Sequence, residues 1–292
     1  RIYDQYEGLF SLHKMTMFEM DLWMSLAYFI EQQVDYCIIE AGMGGRLDAT
    51  TALDYQACLI TNVGLDHTEY LGNTFEQIAY EKSGIFKPNV PALTTEDKPE
   101  CQKVMKLVAD YMNTPLCFID CQETDVLRWN GMTFHLNPPL YQAKNLSLAL
   151  ETLNVLGIWL EENEIQEVID HFQWAGRFMI LRKDPLVLLD GAHNVHGITA
   201  LTHSLKDFKG KIYFSVLKEK DAPHMIELLQ TISKDITLVE ISSARLYPLE
   251  KLGYPIITVD ELISRLLDTK EDSLLCGSLY YVGEVLEKWG NV

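Results

Sequence analysis

The residues best suited to chemistry stand where apolar runs give way to glycine or polar residues. The first group, EAGMGGRLDAT (40–50), places Glu40 after an apolar run and follows it with Gly42, Gly44 and Gly45. A carboxylate oxygen is a ligand that Mg²⁺ prefers, and glycines let a phosphate come close to the backbone. The same residues also fit a tight loop with a surface acid, so this group alone leaves both interpretations open.

A second group, TNVGLDHTEYLGNT (61–74), places His67 beside Asp66 after another apolar run. An imidazole oriented by a neighbouring carboxylate can bind a metal or accept a proton, although a lone loop histidine is more often structural. Lys82 follows late on a helix that Thr74 begins, where a lysine is usually solvated and favoured by the helix dipole. Spacing alone therefore assigns no chemistry to Lys82.

Polar residues also crowd the segment LLDGAHN, in which Asp190 and His193 follow an apolar run. Arg177 precedes them in GRF, and the fork of a guanidinium suits phosphate binding. Ser278, in CGSLYYVGE, stands between a strand and a helix, where it either caps the helix or receives a carboxylate. His193 and His196 have zinc-like spacing, but no third ligand is evident near them, so zinc is discounted.

Strand and helix patterns alternate along the chain and place these residues at strand ends. Strands are predicted at 34–40, 57–63 and 116–119, and then in the runs PLVLLD, KIYFSVL, ITLVEIS, PIITV and SLLCGSLY. Helices are predicted at 17–32, 74–84, 97–111, 145–160, 161–172, 198–208, 222–233, 261–267 and 282–289. This alternation predicts an α/β fold in two lobes, divided near residue 174, each a mostly parallel sheet with flanking helices. Ligands of such sheets bind outside the carboxyl ends of the strands.

Composition excludes several classes of protein. Of the 292 residues, 48% are hydrophobic and 23% are charged, which argues against a disordered chain. The net charge of −18, without a long basic run, argues against nucleic-acid binding, and no apolar run approaches the about 18 residues of a membrane span. The six cysteines include no CxxC pair, which favours buried free thiols. With no signal-peptide pattern at the start, we expect a cytoplasmic protein.

Taken in order, these motifs resemble folylpolyglutamate synthase, a family that also includes dihydrofolate synthases and belongs to the Mur-type ATP-dependent amide ligases. The resemblance runs from about Met17 to the C-terminus, through EAGMGGRLDAT, LDHTEYLGNTFEQIAYEKSGIFK, YQAKN, GRF, LLDGAHN, KEKD and GSLYYVGE. It implies a Mur-ligase-like ATPase domain in 1–174 and a Rossmann-like glutamate-ligase domain in 175–292. It also implies a reaction in which MgATP phosphorylates a folate carboxylate and the amino group of glutamate attacks the acyl phosphate.

The resemblance also implies roles for individual residues. The implied metal ligands are Glu40, His67 and Lys82, the lysine as a carbamate. The implied catalytic residues are Lys82, Asp190 and His193. The implied nucleotide contacts are Asn145, Arg177 and Asp190, and the implied substrate contacts are Gly44, Arg46, Asp48 and Ser278. The expected ligands are ATP, Mg²⁺, a reduced folate and L-glutamate, and we expect a monomer without nucleic-acid or membrane partners.

The sequence departs from the family at its phosphate-binding loop. No G-x-x-x-x-G-K-[ST] run occurs in the 292 residues, so we expect a further segment before Arg1 with a strand, this loop and a helix. Thr51 stands where the family usually has Asn, and Glu219 begins a Glu-Lys-Asp motif where it usually has Asp-Lys-Asp. Two alternatives stay open: a non-catalytic remnant that binds folate or a partner, and a Mur-type ligase that acts on cell-wall precursors.

Overall fold

The computed structural model describes residues 1–137 and 139–290, which form two compact units. Unit 1 comprises residues 1–121 and 144–159, and unit 2 comprises residues 122–143 and the chain from residue 160 onward. These units are defined by compactness alone. The functional division near residue 174 therefore stays a prediction.

Unit 1 is built on a short parallel sheet with helices around it. Its strands, hydrogen-bonded in chain order, are β1 (Cys58–Ile60), β2 (Ala92–Thr94) and β3 (Leu116–Phe118). Its helices are α1 (Ile2–His13), α2 (Met17–Gln32), α3 (Thr68–Leu71), α4 (Phe75–Ser83), α5 (Pro99–Met112) and most of α6 (Gln142–Val155). Ile78, Phe86 and Met105 lie in its buried core.

Helix caps explain why two of these helices begin where they do. Thr16 accepts a hydrogen bond from the Glu19 N–H, and the Glu19 carboxylate accepts one from the Thr16 N–H. Thr74 and Gln77 make the same reciprocal pair at the start of α4. Such a cap stabilises a helix by about 1 kcal/mol. The predicted helices 17–32 and 74–84 are thereby confirmed as α2 and α4.

The segment 34–40, predicted as a buried strand, is not a strand in the structure. Val34, Tyr36 and Ile38 are exposed, and Ile38 retains 93% of its accessible surface. A strand needs a neighbour for its backbone N–H and C=O groups. In the described residues β1 ends the sheet and pairs with β2 alone. The prediction was wrong because an apolar pattern indicates a tendency to be buried and does not supply a pairing partner.

Unit 2 contains a six-stranded sheet in the order β10-β9-β8-β11-β7-β6. The strands are β6 (Met179–Lys183), β7 (Leu186–Asp190), β8 (Lys211–Phe214), β9 (Ile236–Glu240), β10 (Ile256–Thr258) and β11 (Ser273–Cys276). All pair in parallel except β6, which runs antiparallel to β7 at one edge. The five strands predicted after residue 185 are confirmed as β7 to β11.

Helices cover both faces of this sheet. They are α8 (Val195–Ser204), α9 (Ala222–Leu229), α10 (Val259–Asp268) and α11 (Leu279–Trp289). The remaining helix of this unit, α7 (Glu162–His171), packs beside a separate hairpin. Leu188 packs into one apolar layer and its neighbour Leu189 into the other, so the central strands are buried on both sides. Unit 2 also contains a hairpin of β4 (Val126–Trp129) and β5 (Met132–His135), which the sequence analysis did not predict.

Two expectations from composition can be compared with the structure. All six cysteines are free thiols; Cys58, Cys101 and Cys276 are buried as expected, whereas Cys37 and Cys117 are exposed. In the part of the chain that the structure describes, none of the helices has the length and apolar character needed to cross a bilayer.

Candidate active site

The glycine-rich loop packs against the last turn of α4. A Cβ at Gly45 would lie 2.8 Å from the carbonyl oxygen of Lys82 and 2.9 Å from that of Glu81. A Cβ at Gly84 would lie 2.2 Å from the Cα of Arg46. Because these distances leave no room for side chains, the glycines let the loop approach the helix closely. The loop that follows Glu40 is thus held beside the turn that carries Lys82.

Lys82 is half-buried, and two carboxylates lie close enough to influence its charge. Burial lowers the pKa of its ammonium, and the charges of Glu40 and Asp66 act in the opposite direction. These three residues therefore lie within electrostatic range of one another. A lysine with a lowered pKa has a larger neutral fraction near neutral pH, and the neutral amine is the form that reacts with carbon dioxide.

His67 lies in the left-handed region, with a φ of 50°, at the start of α3. Its backbone N–H donates to Asp66 Oδ1 at 2.9 Å, and its side chain is exposed. Within residues 1–137 and 139–290, no group of three or more His, Cys, Asp or Glu side chains is arranged to hold a metal ion. Mg²⁺ in nucleotide sites usually takes one or two carboxylates and completes its shell with phosphate oxygens and water. Glu40 and Asp66 fit that requirement as oxygen donors.

Arg46, expected to bind substrate, makes an ion pair within unit 1. Its Nε and Nη2 atoms donate to the Glu81 carboxylate at 2.9–3.1 Å, and its guanidinium lies 5.6 Å from the Tyr80 ring centroid. Gly44, also expected to contact substrate, has a φ of 68°, and a Cβ there would lie 2.8 Å from Leu71 Cδ2. In this structure both residues therefore shape the loop.

Asp48 caps the 3₁₀ turn Ala49–Ala52. Its Oδ1 accepts from the Thr50 N–H at 3.0 Å, and its Oδ2 accepts from the Met43 N–H at 3.0 Å. Burial alone would raise the pKa of the Asp48 carboxyl, but these hydrogen bonds together lower it. The carboxylate organises the loop, and a role in binding substrate stays a prediction.

Asp190 ends β7 and organises the turn that carries Arg177. Its Oδ2 accepts from the Phe178 N–H and its Oδ1 from the Ala192 N–H, both at 2.7 Å. Burial raises the pKa of the Asp190 carboxyl, an effect that these two hydrogen bonds and the charges of Arg177 and His193 oppose. Both oxygens of this buried carboxylate are thus used to hold backbone.

Arg177 lies over the backbone that follows β7. A Cβ at Gly191 would lie 2.7 Å from Arg177 Nη1, and the Gly191 N–H donates to the Gly176 carbonyl at 2.7 Å. Tyr141 lies nearby and is half-buried. Burial raises the pKa of its hydroxyl, the charge of Asp190 raises this pKa further, and the charge of Arg177 lowers it. These residues form a second polar cluster, in unit 2.

His193 and Ser278 stand just after β7 and β11, which are neighbours in the sheet. His193 Nδ1 lies 2.8 Å from the Gly191 carbonyl oxygen, which can only accept, so Nδ1 donates its hydrogen there. Ser278 is buried and caps α11, its Oγ accepting from the Tyr280 N–H at 3.2 Å. The capping interpretation of Ser278 is confirmed, and a serine that caps in this way keeps its O–H as a donor.

The structure adds three residues that the sequence analysis did not select. Asp66 adjoins His67 and lies within electrostatic range of Lys82, Tyr141 begins the YQAKN motif, and Glu96 is buried just after β2. In the sequence, Asp66 could have been selected because it adjoins His67. Glu96 could have been selected as a carboxylate that follows a strand. Asn145 is exposed on α6 in unit 1, and its contact with nucleotide stays a prediction.

Comparison with known proteins gives consistent results. The Mur ligase middle domain matches residues 4–138. The dihydrofolate synthase/folylpolyglutamate synthase of Escherichia coli (strain K12) is 30% identical, over 94% of this chain and 69% of the relative. The structure of E. coli FolC in complex with ADP, without folate substrate, has a TM-score of 0.83 and 29% identity, covering 95% of this chain and 72% of that one.

A further solved structure is a bifunctional folylpolyglutamate synthase/dihydrofolate synthase with Mn, AMPPNP and L-glutamate bound. It has a TM-score of 0.82 and 26% identity, covering 94% of this chain and 72% of that one. The agreement extends over both units of the chain, in sequence and in fold. The chain therefore belongs to the dihydrofolate synthase/folylpolyglutamate synthase family, and with it to the Mur-type ligases.

Proposed function

We propose that this protein is an ATP-dependent ligase that adds L-glutamate to the γ-carboxyl of tetrahydrofolate, acting as a cytoplasmic monomer. Glutamate addition to dihydropteroate is the second activity to test. The observation that carries the proposal is Lys82, a half-buried lysine beside the glycine-rich loop and within electrostatic range of Glu40 and Asp66. Perturbed titratable groups of this kind mark functional sites.

In unit 1, Glu40 and Asp66 would hold Mg²⁺ together with the predicted ligand His67, and Lys82 would supply a further oxygen donor as a carbamate. A metal held there would neutralise charge on the phosphoryl group during transfer. The relative solved with Mn and AMPPNP supports a divalent metal and a nucleotide for this chain. The folate carboxylate attacks the γ-phosphorus of ATP, the bond to ADP breaks, and an acyl phosphate forms.

In unit 2, Arg177 and Asp190 serve the nucleotide side, and His193 and Ser278 serve glutamate. The amine of glutamate forms the C–N bond as the acyl C–O bond breaks and phosphate leaves, and His193 is the proposed acceptor of the amine proton. Ser278 donates its O–H to a glutamate carboxylate at the start of α11, where the helix dipole favours an anion. The relative solved with L-glutamate supports this substrate.

The test is an assay of the full natural polypeptide with ATP, Mg²⁺, L-glutamate and either tetrahydrofolate or dihydropteroate. We expect ADP release that requires both the pterin substrate and glutamate, and a product heavier by one glutamyl residue in mass spectrometry. ADP release that required a cell-wall precursor would identify a different Mur-type ligase. Folate binding without ADP release would identify a non-catalytic remnant, and either result would overturn the proposal.

A further inference from the structure

Glu96 is a buried carboxylate at the carboxyl end of β2, with 2% of its surface exposed. Its Oε2 accepts from the Val63 N–H at 2.5 Å. Its Oε1 accepts from the Lys98 N–H at 2.8 Å and from Lys98 Nζ at 3.2 Å. A charge is costly to bury unless it is paired and hydrogen-bonded, and these three bonds meet that need.

On one side, Glu96 holds the loop that leads from β1 towards Asp66. Val63 belongs to that loop, and the neighbouring Thr95 Oγ1 donates to the Thr61 carbonyl at 2.6 Å. Two consecutive residues after β2 thus fix two points of the loop after β1. The loop reaches Asp66 only a few residues later, so its path at Val63 constrains where that carboxylate lies.

On the other side, Glu96 is linked to the helix that carries Lys82. Lys98 Nζ lies 5.4 Å from the centroid of the Phe75 ring, and Phe75 is the first residue of α4. A lysine over an aromatic ring is held there by a cation–π attraction. Glu96 therefore stands between the loop of Asp66 and the helix of Lys82.

We propose that Glu96 is a positioning residue that fixes the loop between β1 and Asp66 and thereby sets the affinity of unit 1 for a divalent metal. The inference rests on the proposed function, in which Asp66 belongs to the metal centre of unit 1. We assign Glu96 a supporting role because its side chain is buried and its oxygens accept three hydrogen bonds, from Val63 and Lys98. Loss of such a supporting partner typically lowers metal affinity or activity by about 10–100-fold. We expect an effect of that size here.

The first test variant is Glu96→Gln in the full natural polypeptide. The amide keeps the size of the side chain and can still accept from Val63, but it presents an NH₂ group where Lys98 also donates. We expect Mn²⁺ to bind about tenfold more weakly in the presence of ADP, measured by electron paramagnetic resonance titration. The KM for glutamate should stay close to the wild-type value, since Glu96 lies in unit 1.

A second variant and a control separate positioning from general damage. Thr95→Val removes the bond to Thr61 without altering Glu96, and it should weaken Mn²⁺ binding in the same direction. The control is Glu100→Gln, which removes a nearby charge on α5. The Glu100 side chain makes no hydrogen bond in the described residues, so this variant should bind Mn²⁺ as the wild type does. If Glu96→Gln does not fold, Thr95→Val decides the question.

Hydrogen–deuterium exchange without metal gives an independent readout. We expect faster exchange in the loop 61–67 of Glu96→Gln and Thr95→Val than in Glu100→Gln. Unchanged Mn²⁺ affinity in both loop variants, together with faster exchange, would overturn the positioning role. A wild-type protein that binds Mn²⁺ but ligates no folate would contradict the proposed function alone, because neither readout uses folate.

Discussion

At the scale of single residues, the lowered pKa of Lys82 has a direct chemical consequence. The neutral amine forms a carbamate with carbon dioxide, so a lysine whose pKa is lowered by burial reacts at a lower pH than an exposed one. We expect Lys82 to take up label from ¹³C-bicarbonate, detected by NMR, with uptake that increases as the pH rises towards the lowered pKa.

Two variants test this assignment. Lys82→Arg keeps the charge but cannot form the carbamate, so it should show no label and lose about 10–100-fold in activity of the full natural polypeptide. Lys103→Arg, at an exposed lysine on α5, should match the wild type in both measurements. An unlabelled wild-type protein at saturating bicarbonate would refute the carbamate.

Asp48 contributes to stability through its cap, and the sign of the pH dependence follows from its lowered pKa. A carboxyl group stabilises the protein when its pKa is lower in the folded state than in the unfolded state. The stabilisation is present at a pH above the unfolded-state pKa of 3.8, and it is lost as the pH falls through the folded-state pKa. We expect Asp48→Ala to lose about 1 kcal/mol at pH 7 in chemical denaturation. The difference from the wild type should shrink in acid.

Asp48→Asn serves as the matched control, because asparagine also caps helical turns well. It should retain most of the stability at pH 7 and show a weaker dependence on acid. A loss in Asp48→Ala that persisted unchanged in acid would mean that the stabilisation does not come from the ionised cap.

At the scale of elements, local signals predicted two helix starts and the strands β7 to β11, but they failed at 34–40. The starts of α2 and α4 follow from their capping boxes, which are contacts between residues close in sequence. The hairpin of β4 and β5 also had a local signal, since Asn130 and Gly131 form the turn with φ angles of 46° and 80°. The burial of Lys82 depends on a loop distant in sequence, and no periodicity could have predicted it.

The segment 34–40 gives an element-scale prediction. Its amides have no strand partner in the described residues, so they should exchange with deuterium nearly as fast as an unstructured peptide. The amides of β1, which pair with β2, should exchange far more slowly in the same sample of the 292-residue chain. Protection of 34–40 equal to that of β1 would contradict the irregular conformation.

At the scale of the whole molecule, the net charge of the chain has the same sign as the charges of the proposed substrates. The chain carries a net charge of −18, and ATP, folate and glutamate are anions. Long-range attraction therefore does not bring these substrates to the protein. Recognition has to come from short-range groups such as Arg177, Ser278 and the helix N-terminus of α11, which act within a few ångströms where screening is weak.

The two compact units have separate buried cores, which leads to a prediction about unfolding. Phe86 lies in the core of unit 1 and Phe214 in a core of unit 2, and both are almost completely buried. Replacing a buried phenylalanine by alanine costs about 3–5 kcal/mol. We expect calorimetry of the 292-residue chain to resolve two transitions, one for each core. Phe86→Ala should lower one transition temperature and Phe214→Ala the other, each leaving its counterpart in place. A single transition that both variants lower equally would show instead that the units unfold as one cooperative body.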